Sequence, residues 1–312
     1  MRGRSESSSA GKALILSDGK PGHRNQAVAL ARHLGLSFDA AEVHFCCRPA
    51  KAISYLLDRF GFYLSGLFSL STSDADQYCA LIAAGSESYY AAKTLGRKYG
   101  IPAAAVMLPR GYRYDFDLIV APAHDRPPAG ECIRTVPVNP CWVEPAGLVH
   151  IPPDEHLVSL IIGGSNQVYD LRVESLRPVV EEVFLTFPGH RIMAATSRRT
   201  PPEIDAMLRS YPFARLFLYS ENPINPIPDF LALSDYVFLT ADSTSMISEA
   251  VSFGAAKVEV IPLPSRRAPG KFARLIDQLE AMDCLHVYDG TIGEAGKKVK
   301  LGDYLQGIRL CG

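Results

Sequence analysis

Residues 236–250 read YVFLTADSTSMISEA, and this stretch indicates the fold. Residues 236–240 form a largely apolar run of strand length, and the pattern at 245–253 predicts a helix. Only a short loop separates the two segments. A buried strand that passes through a short loop into a helix is the repeating unit of parallel α/β sheets.

The same alternation of strand-like and helix-like segments extends in both directions. On the C-terminal side of the chain, strands are predicted at Leu157–Ile162, Ile192–Thr196, Leu216–Tyr219, Tyr236–Thr240 and Val258–Ile261. On the N-terminal side, strands are predicted at Ala13–Ser17, Glu42–Phe45, Leu81–Ala84, Ala103–Met107 and Leu118–Ala121, with helices at Asn25–Leu34 and Ser86–Lys98. A stretch rich in Pro and Gly, residues 122–153, separates the two series and predicts an interdomain connection.

The chain of 312 residues is therefore expected to form two domains, because single cores stop growing at roughly 250–300 residues. The predicted fold class is α/β, with two Rossmann-like doubly wound domains that face a central cleft, the GT-B architecture. The predicted boundaries are a disordered tail at 1–12, an N-terminal Rossmann-like domain at 13–150, a C-terminal Rossmann-like domain at 151–290 and a C-terminal tail at 291–312.

Composition excludes several classes of protein. A formal net charge of -1 gives no basis for nucleic-acid binding through phosphate neutralisation. Seven scattered cysteines without CxxC spacing indicate reduced thiols, with neither a disulfide framework nor a zinc site. The polar N-terminus lacks the pattern of a signal peptide, and no apolar run is long enough to span a bilayer. We expect a cytoplasmic protein, at most peripheral to a membrane.

The loop after residue 239 is the strongest local signal for ligand binding. Small hydroxyl side chains there would add donors to the unpaired N–H groups at the start of a helix, a combination that suits phosphate oxygens. Glu249 lies one turn beyond Ser245 on the same helix face, where it could accept hydrogen bonds from ribose hydroxyls. The alternative is that Asp242 or Ser243 only caps the helix. The candidate binding residues are Thr240, Asp242, Ser243, Thr244, Ser245, Met246 and Glu249.

Two further loops of the second domain are candidates for contact with the same ligand. Paired glycines after the strand at 157–162 would permit positive φ and close approach of a ligand, although a plain tight turn is an equal alternative. The arginine pair at 198–199 suits bidentate phosphate contact, or else is solvated. The candidates here are Gly163, Gly164, Ser165, Asn166, Ser197 and Arg198.

The loop after the first strand, DGKPGHRNQ at 18–26, is the candidate catalytic segment. His23 is predicted to be the general base that deprotonates a hydroxyl group, because imidazole titrates near neutral pH. Lys20 is a second catalytic candidate or an anion contact. Asp18, Gly19 and Gly22 are predicted to bind the substrate. A surface or capping histidine remains the alternative.

Other patterns carry less weight. Asp74–Asp76 and Asp115–Asp117 match the DxD spacing of metal-dependent transferases by chance and are interpreted as surface acids, so no metal site is predicted. The absence of GxGxxG argues against a dehydrogenase. The apolar segment Ile53–Leu70 is interpreted as a buried helix pair, or alternatively as a patch that lies against lipid.

Several of these motifs resemble a known family. DGKPGHRNQ, GGS after a strand, TSRRTP and TADSTSMISEA, in that order, resemble the Elm-type mitochondrial fission family of plants and bacteria, whose members are regarded as GT-B glycosyltransferases. FDLIVAPAHD at 116–125 resembles the central motif of the same family. The layout is also similar to the UDP-N-acetylglucosamine transferase of peptidoglycan synthesis. By that resemblance His23 matches the base, and Ser243, Ser245 and Glu249 match the sugar-nucleotide site.

The expected function is metal-independent transfer of a sugar from a nucleotide-diphosphate sugar, used as co-substrate without any cofactor, to a hydroxyl group of a glycan or lipid-linked acceptor. The expected location of the reaction is the interdomain cleft. An epimerase or phosphorylase on the same fold is the enzymatic alternative. A non-catalytic scaffold at a membrane is the alternative from another class.

Overall fold

The computed structural model describes residues 11–71, 75–268 and 270–311. By internal contacts the chain divides into two compact units. Unit 1 runs up to Trp142 and also takes in the chain from Leu301 onward, whereas unit 2 is Val143–Lys300. The division after Trp142 lies before the predicted boundary at 150, and the segment 291–312, predicted as a separate tail, is shared between the two units. Residues 1–10 of the expected N-terminal tail lie outside the described residues.

Unit 1 contains a sheet of seven strands within the described residues, in the order β3-β2-β1-β4-β5-β6-β7. The strands are β1 Lys12–Ser17, β2 Ser37–Phe45, β3 Phe68–Leu70, β4 Ala80–Ala84, β5 Ala103–Val106, β6 Leu118–Pro122 and β7 Ile133–Val136. Its helices are α1 Pro21–His33, α2 Arg48–Phe60, α3 Tyr89–Tyr99 and α9 Leu301–Tyr304. All neighbouring strands are parallel except β2 and β3.

Unit 2 contains a fully parallel sheet, in the order β10-β9-β8-β11-β12-β13. The strands are β8 Leu157–Ile162, β9 Arg191–Thr196, β10 Arg215–Phe217, β11 Tyr236–Thr240, β12 Lys257–Ile261 and β13 His286–Val287. Its helices are α4 Val173–Thr186, α5 Pro202–Leu208, α6 Ile227–Leu233, α7 Thr244–Ala250 and α8 Lys271–Ala281. The predicted fold class, two doubly wound α/β halves, is confirmed.

The central strands are buried on both faces, which explains why they stand out in the sequence. Every residue of β4, β5 and β8 is buried. Parallel sheets are covered by helices on both faces, so their strands are continuous apolar runs. The short edge strands β3, β7 and β13 lack such runs and were not predicted.

The segment Ile53–Leu70 was predicted wrongly as a buried helix pair. It forms most of α2, a single turn of 3-10 helix and β3. Apolar side chains on one side of α2 and just beyond it are exposed: Ile53, Leu56, Phe60, Phe62 and Leu64. Mean hydropathy alone does not distinguish a buried helix from one that presents an apolar face to solvent. No helix in the described part of the chain is long and apolar enough to cross a bilayer.

The prediction of uniformly reduced cysteines was also wrong. Cys79 and Cys311 form a disulfide across Cα atoms 5.3 Å apart. The two residues are 232 positions apart in the sequence, and they meet because the chain from Leu301 onward belongs to unit 1. Gly11 lies against both cysteines, where an added Cβ would be 2.4 Å from Cys79 Sγ.

Candidate functional site

The loops that the sequence singled out follow the central strands of each sheet. In unit 1, β1 leads through α1 to β2 on one side, while β4 lies on its other side. In unit 2, β8 is flanked in the same way by β9 and β11. These are the switch points at which doubly wound sheets bind ligands, at the carboxyl ends of the strands. Each unit therefore carries one candidate ligand site.

In unit 1, Asp18 and His23 form a hydrogen-bonded pair. The His23 Nδ1 atom lies 2.9 Å from Asp18 Oδ2 and 3.0 Å from Oδ1. The Asp18 side chain is fully buried, whereas 30% of the His23 side chain is exposed. Burial acts to raise the pKa of the Asp18 carboxyl, but the hydrogen bond with His23, together with the amide and ammonium of Lys20, outweighs it and holds that pKa below its ordinary value.

The pairing fixes which nitrogen of His23 is available for chemistry. An ionised carboxylate can only accept hydrogen bonds, so Nδ1 carries the hydrogen and Nε2 of the neutral ring carries the lone pair. Within the described residues no hydrogen bond to Nε2 is present. A carboxylate that orients an imidazole in this way is the usual arrangement around a general base. Asp18 was predicted as a substrate-binding residue, and the structure instead places it behind His23.

Gly85, which follows β4, packs directly against this pair. A Cβ atom on Gly85 would lie 2.5 Å from His23 Nδ1 and 2.6 Å from Asp18 Oδ2. Gly85 also has φ +95°, which L side chains rarely adopt. Sequence reasoning missed Gly85 because its role depends on β4 lying beside β1, which is a property of the topology.

The other predicted residues of this loop have different roles. Lys20 is exposed, and its Nζ lies 3.3 Å from Asp18 Oδ2, so it shares the carboxylate with His23. Gly19 has φ +77° and forms the turn before α1. A Cβ on Gly22 would contact nothing within 4 Å, so packing does not require a glycine there.

In unit 2, Asp242 lies at the centre of a buried network. Its carboxylate accepts hydrogen bonds from Thr240 Oγ1 at 2.6 Å, from the Gly164 amide at 3.1 Å and from Arg199 Nη2 at 2.6 Å. The Asp242 side chain is fully buried. Thr240 and Asp242 were predicted to contact a ligand, and the structure shows that they join the loops after β8, β9 and β11.

The glycine pair after β8 is required by the protein itself. A Cβ on Gly163 would lie 2.1 Å from Asp242 Oδ1, and one on Gly164 would lie 2.1 Å from the carbonyl oxygen of Arg199. Neither glycine has a positive φ. The predicted positive φ is therefore absent, and the groups that lie close to the two glycines belong to neighbouring loops of the same unit.

Most polar side chains of these loops make hydrogen bonds within unit 2. Asn166 Nδ2 donates to the Asp242 carbonyl oxygen at 3.0 Å, and Ser165 Oγ accepts from the Leu171 amide at 3.0 Å. Ser197 Oγ donates to the Gly163 carbonyl oxygen at 2.9 Å. These hydrogen bonds hold the loops after β8 and β9 in position.

Arg198 and Arg199 differ although they are adjacent. Arg199 is paired with Asp242, as described above. Arg198 is exposed, and it makes no hydrogen bond or ion pair within the described residues. The Arg199–Asp242 contact places the loop that carries Arg198 beside the hydroxyl-rich loop after β11. Of the two arginines, Arg198 is therefore the one whose guanidinium group is available to contact a ligand.

Helix α7 begins with a side-chain cap and is shorter than predicted. Ser243 Oγ accepts from the Met246 amide at 3.3 Å, which is the capping role considered as the alternative. The helix has seven residues and ends at Ala250, whereas the sequence predicted 245–253. Because the macrodipole is built from aligned peptide units, so short a helix contributes less positive charge than expected. Ser245 is half-buried at the first turn.

Glu249 is a half-buried carboxyl with no hydrogen bond or ion pair within the described residues. Burial raises its pKa from 4.5 to about 7. It lies four residues after Ser245 on the same face of α7. A buried acid without a protein partner, beside a polar loop, is typical of a binding site more than of a structural core.

Replacement of Glu249 by Gln should therefore stabilise the protein, and the gain should depend on pH. The folded pKa lies above the unfolded one, so the wild-type protein loses stability as pH rises from 4.5 to about 7. We expect Glu249→Gln to match the wild type near pH 4 and to exceed it by roughly 1–2 kcal/mol at pH 8. Urea unfolding at both pH values measures the difference, and an equal difference at both would contradict the prediction.

One protein family matches most of the chain in sequence. The sequence model of the family described as "Mitochondrial fission ELM1" matches residues 21–304. Uncharacterized protein RP120 of Rickettsia prowazekii (strain Madrid E) is 23% identical, over 89% of this chain and 90% of that protein.

Two solved structures align with most of the chain at low sequence identity. MurG of Acinetobacter baumannii is 12% identical with a TM-score of 0.45, over 89% of this chain and 85% of that chain. The glycosyltransferase SnogD of Streptomyces nogalater is 12% identical with a TM-score of 0.46, over 92% of this chain and 88% of that chain.

Proposed function

The chain belongs to the mitochondrial fission ELM1 family, and we propose that it transfers a sugar from a nucleotide-diphosphate sugar to a hydroxyl group of an acceptor. Unit 1 supplies the base and unit 2 holds the donor. The observation that carries the proposal is the Asp18–His23 pair at the switch point of unit 1, with Nε2 of His23 left available.

The proposed step at unit 1 is general-base catalysis. As the acceptor oxygen attacks the anomeric carbon, His23 Nε2 takes the hydroxyl proton and the bond from that carbon to the diphosphate breaks. The negative charge of Asp18 stabilises the imidazolium that forms. Lys20, whose ammonium lies near Asp18, would limit this stabilisation or contact an anionic acceptor group.

The proposed donor site in unit 2 consists of Arg198, Ser245 and Glu249. Arg198 would neutralise diphosphate charge, and this charge compensation would take the place of a metal ion. Ser245 and Glu249, on one face of α7, would bind the ribose hydroxyls. Asp242, Gly163 and Gly164 hold the surrounding loops in position.

Direct titration tests the donor site. We expect one of the UDP-, GDP-, ADP- or CMP-sugars to bind the wild-type protein in calorimetry. Arg198→Ala should weaken that binding by about 10–100-fold, because a hydrogen bond to a charged group contributes about 1.5–3 kcal/mol. Arg177→Ala, an exposed arginine on α4, is the matched control and should bind as the wild type does. Absence of binding by every sugar nucleotide at millimolar concentration would refute the proposal.

An acceptor requirement distinguishes transfer from epimerisation. A transferase consumes the sugar nucleotide only with an acceptor hydroxyl, whereas an epimerase converts it alone. Product analysis of the wild-type protein with the bound donor, with and without a panel of glycan and lipid-linked acceptors, separates the two reactions.

The exposed apolar face of α2 favours a second candidate function, peripheral binding to a membrane. Leu56 and Phe60 are 58% and 65% exposed, and Arg48 and Arg59 on the same helix are also exposed. Apolar side chains combined with basic residues bind anionic lipid surfaces. Both functions are compatible, since a membrane-bound transferase would act on a lipid-linked acceptor.

Vesicle sedimentation tests this second function. The double variant Leu56→Asp, Phe60→Asp should bind anionic phosphatidylserine vesicles more than about tenfold more weakly than the wild type, because burial of each side chain contributes about 1.5–3 kcal/mol. Leu185→Asp, at a 74% exposed leucine of α4, is the control and should leave binding unchanged. Equal binding by both variants would exclude α2 as the contact.

A further inference from the structure

Three side chains that commonly bind metals lie together at the amino edge of the unit 2 sheet. His156 directly precedes β8, His190 directly precedes β9 and Asp235 directly precedes β11. These three strands are parallel neighbours, in the order β9-β8-β11. The pairing of Leu157 with Arg191 continues to the positions just before the strands, so the topology places the three residues side by side.

The contacts within this cluster bring the donor atoms close. One ligand atom from each residue lies within 4.8 Å of the other two. His156 Nδ1 is 3.1 Å from Asp235 Oδ2, and the two imidazole rings have centroids 5.2 Å apart. Asp235 Oδ2 also accepts from the Leu157 amide at 3.1 Å, which fixes the carboxylate at this edge.

His190 provides an independent observation. Its Nδ1 atom is buried and has no hydrogen-bond partner within the described residues. Buried polar nitrogens are rarely left unsatisfied, because an unmade hydrogen bond costs about 1–3 kcal/mol. Arg191, which follows His190 in the sequence, donates to Glu155 at 2.9 Å, so its charge is compensated locally.

We propose that His156, His190 and Asp235 bind a divalent transition-metal ion, with Zn²⁺ as the expected occupant. Two imidazoles and one carboxylate are ligands that Zn²⁺ accepts, whereas Mg²⁺ and Ca²⁺ prefer oxygen ligands alone. Exposure of His156 and Asp235 leaves the remaining coordination position to water. The ion would cross-link the starts of three strands.

This metal site is separate from the candidate catalytic residues. Those residues follow the carboxyl ends of the strands, and β8 with six residues spans roughly 20 Å. The ion would therefore stabilise the sheet of unit 2 and would take no part in the proposed sugar transfer.

Titration of the metal-free full-length protein tests the proposal. We expect one Zn²⁺ ion to bind per chain and to raise the Tm. His156→Ala should weaken Zn²⁺ binding by more than about 100-fold, because loss of a residue that only hydrogen-bonds to a metal ligand already lowers metal affinity by about 10–100-fold. His156 is exposed, so its replacement should leave the fold intact. His150→Ala, at another exposed histidine of unit 2, is the matched control and should bind as the wild type does.

Co²⁺ separates this site from cysteine-bound metal. Cys46 and Cys47 are adjacent, exposed and free, and thiolates also bind Zn²⁺. Binding at the proposed site should give a Co²⁺ spectrum without thiolate charge-transfer absorption. This spectrum should persist in the double variant Cys46→Ser, Cys47→Ser and should be lost in His156→Ala. Unchanged metal affinity in His156→Ala, or binding that disappears with the two cysteines, would overturn the proposal.

Discussion

Replacement of His23 by Gln should lower kcat for sugar transfer by about 10²–10⁴-fold, the usual contribution of a general base. Donor affinity should be unchanged, since the proposed donor residues belong to unit 2. Glutamine retains a polar side chain of similar reach but cannot accept the hydroxyl proton. Steady-state kinetics with the identified donor and acceptor, together with calorimetry of the donor, measures both quantities.

Two neighbouring residues provide controls for this prediction. Asp18→Asn should also lower kcat, because it can donate to Nδ1 and so favours the wrong tautomer of His23. His44→Gln, at an exposed histidine of β2, should retain wild-type kcat. If His23→Gln retains kcat with the donor bound normally, His23 is not the base and the proposed mechanism is wrong.

The central strands were predictable from sequence because strands that are buried on both faces consist almost entirely of apolar residues. Runs such as Leu157–Ile162 are apolar except for Ser159, and each is followed by a loop and a helix. The positions of the candidate loops followed from the same pattern, since the carboxyl ends of parallel strands carry ligand sites. Both predictions depend only on residues that are close in sequence.

The roles of single residues were less predictable because they depend on partners distant in sequence. The buried position of Asp242 is fixed by Gly164 and Arg199, which come from two other loops. Gly85 is required only because β4 lies beside β1. No local pattern encodes these contacts, so a loop could be identified as a candidate site while the function of its residues could not.

Asp115 is a structural acid that the sequence pattern did not identify, because its partners are not adjacent to it in sequence. It was interpreted as a surface residue, and Asp117 is indeed exposed, as is Asp76, while Asp74 lies outside the described residues. Asp115 instead forms ion pairs with Lys93, Arg97 and Arg113. Burial opposes ionisation of this carboxyl, but these cations outweigh it and hold its pKa well below the ordinary value.

Lys93 is the buried centre of that network. Its side chain and that of Asp58 are each 1% exposed, and Nζ lies 2.7 Å from Asp58 Oδ1. Nζ also donates to the Arg113 carbonyl oxygen at 2.7 Å. Asp58 in turn accepts from the Arg113 amide at 2.6 Å and from Tyr63. The network joins α2, α3 and the segment before β6.

Replacement of Lys93 by Met should lower the free energy of unfolding by about 3–5 kcal/mol, because it leaves the Asp58 carboxylate buried without its cation. Addition of Asp58→Asn should recover part of this loss, since the asparagine oxygen can still accept from the Arg113 amide without bearing charge. Lys98→Met, on the exposed side of α3, is the matched control and should change stability by less than about 0.5 kcal/mol. Urea unfolding of the three variants measures the differences. If Lys93→Met and Lys98→Met unfold alike, the ion pair contributes no net stability, and the packing of α2 on α3 must depend on the surrounding apolar contacts alone.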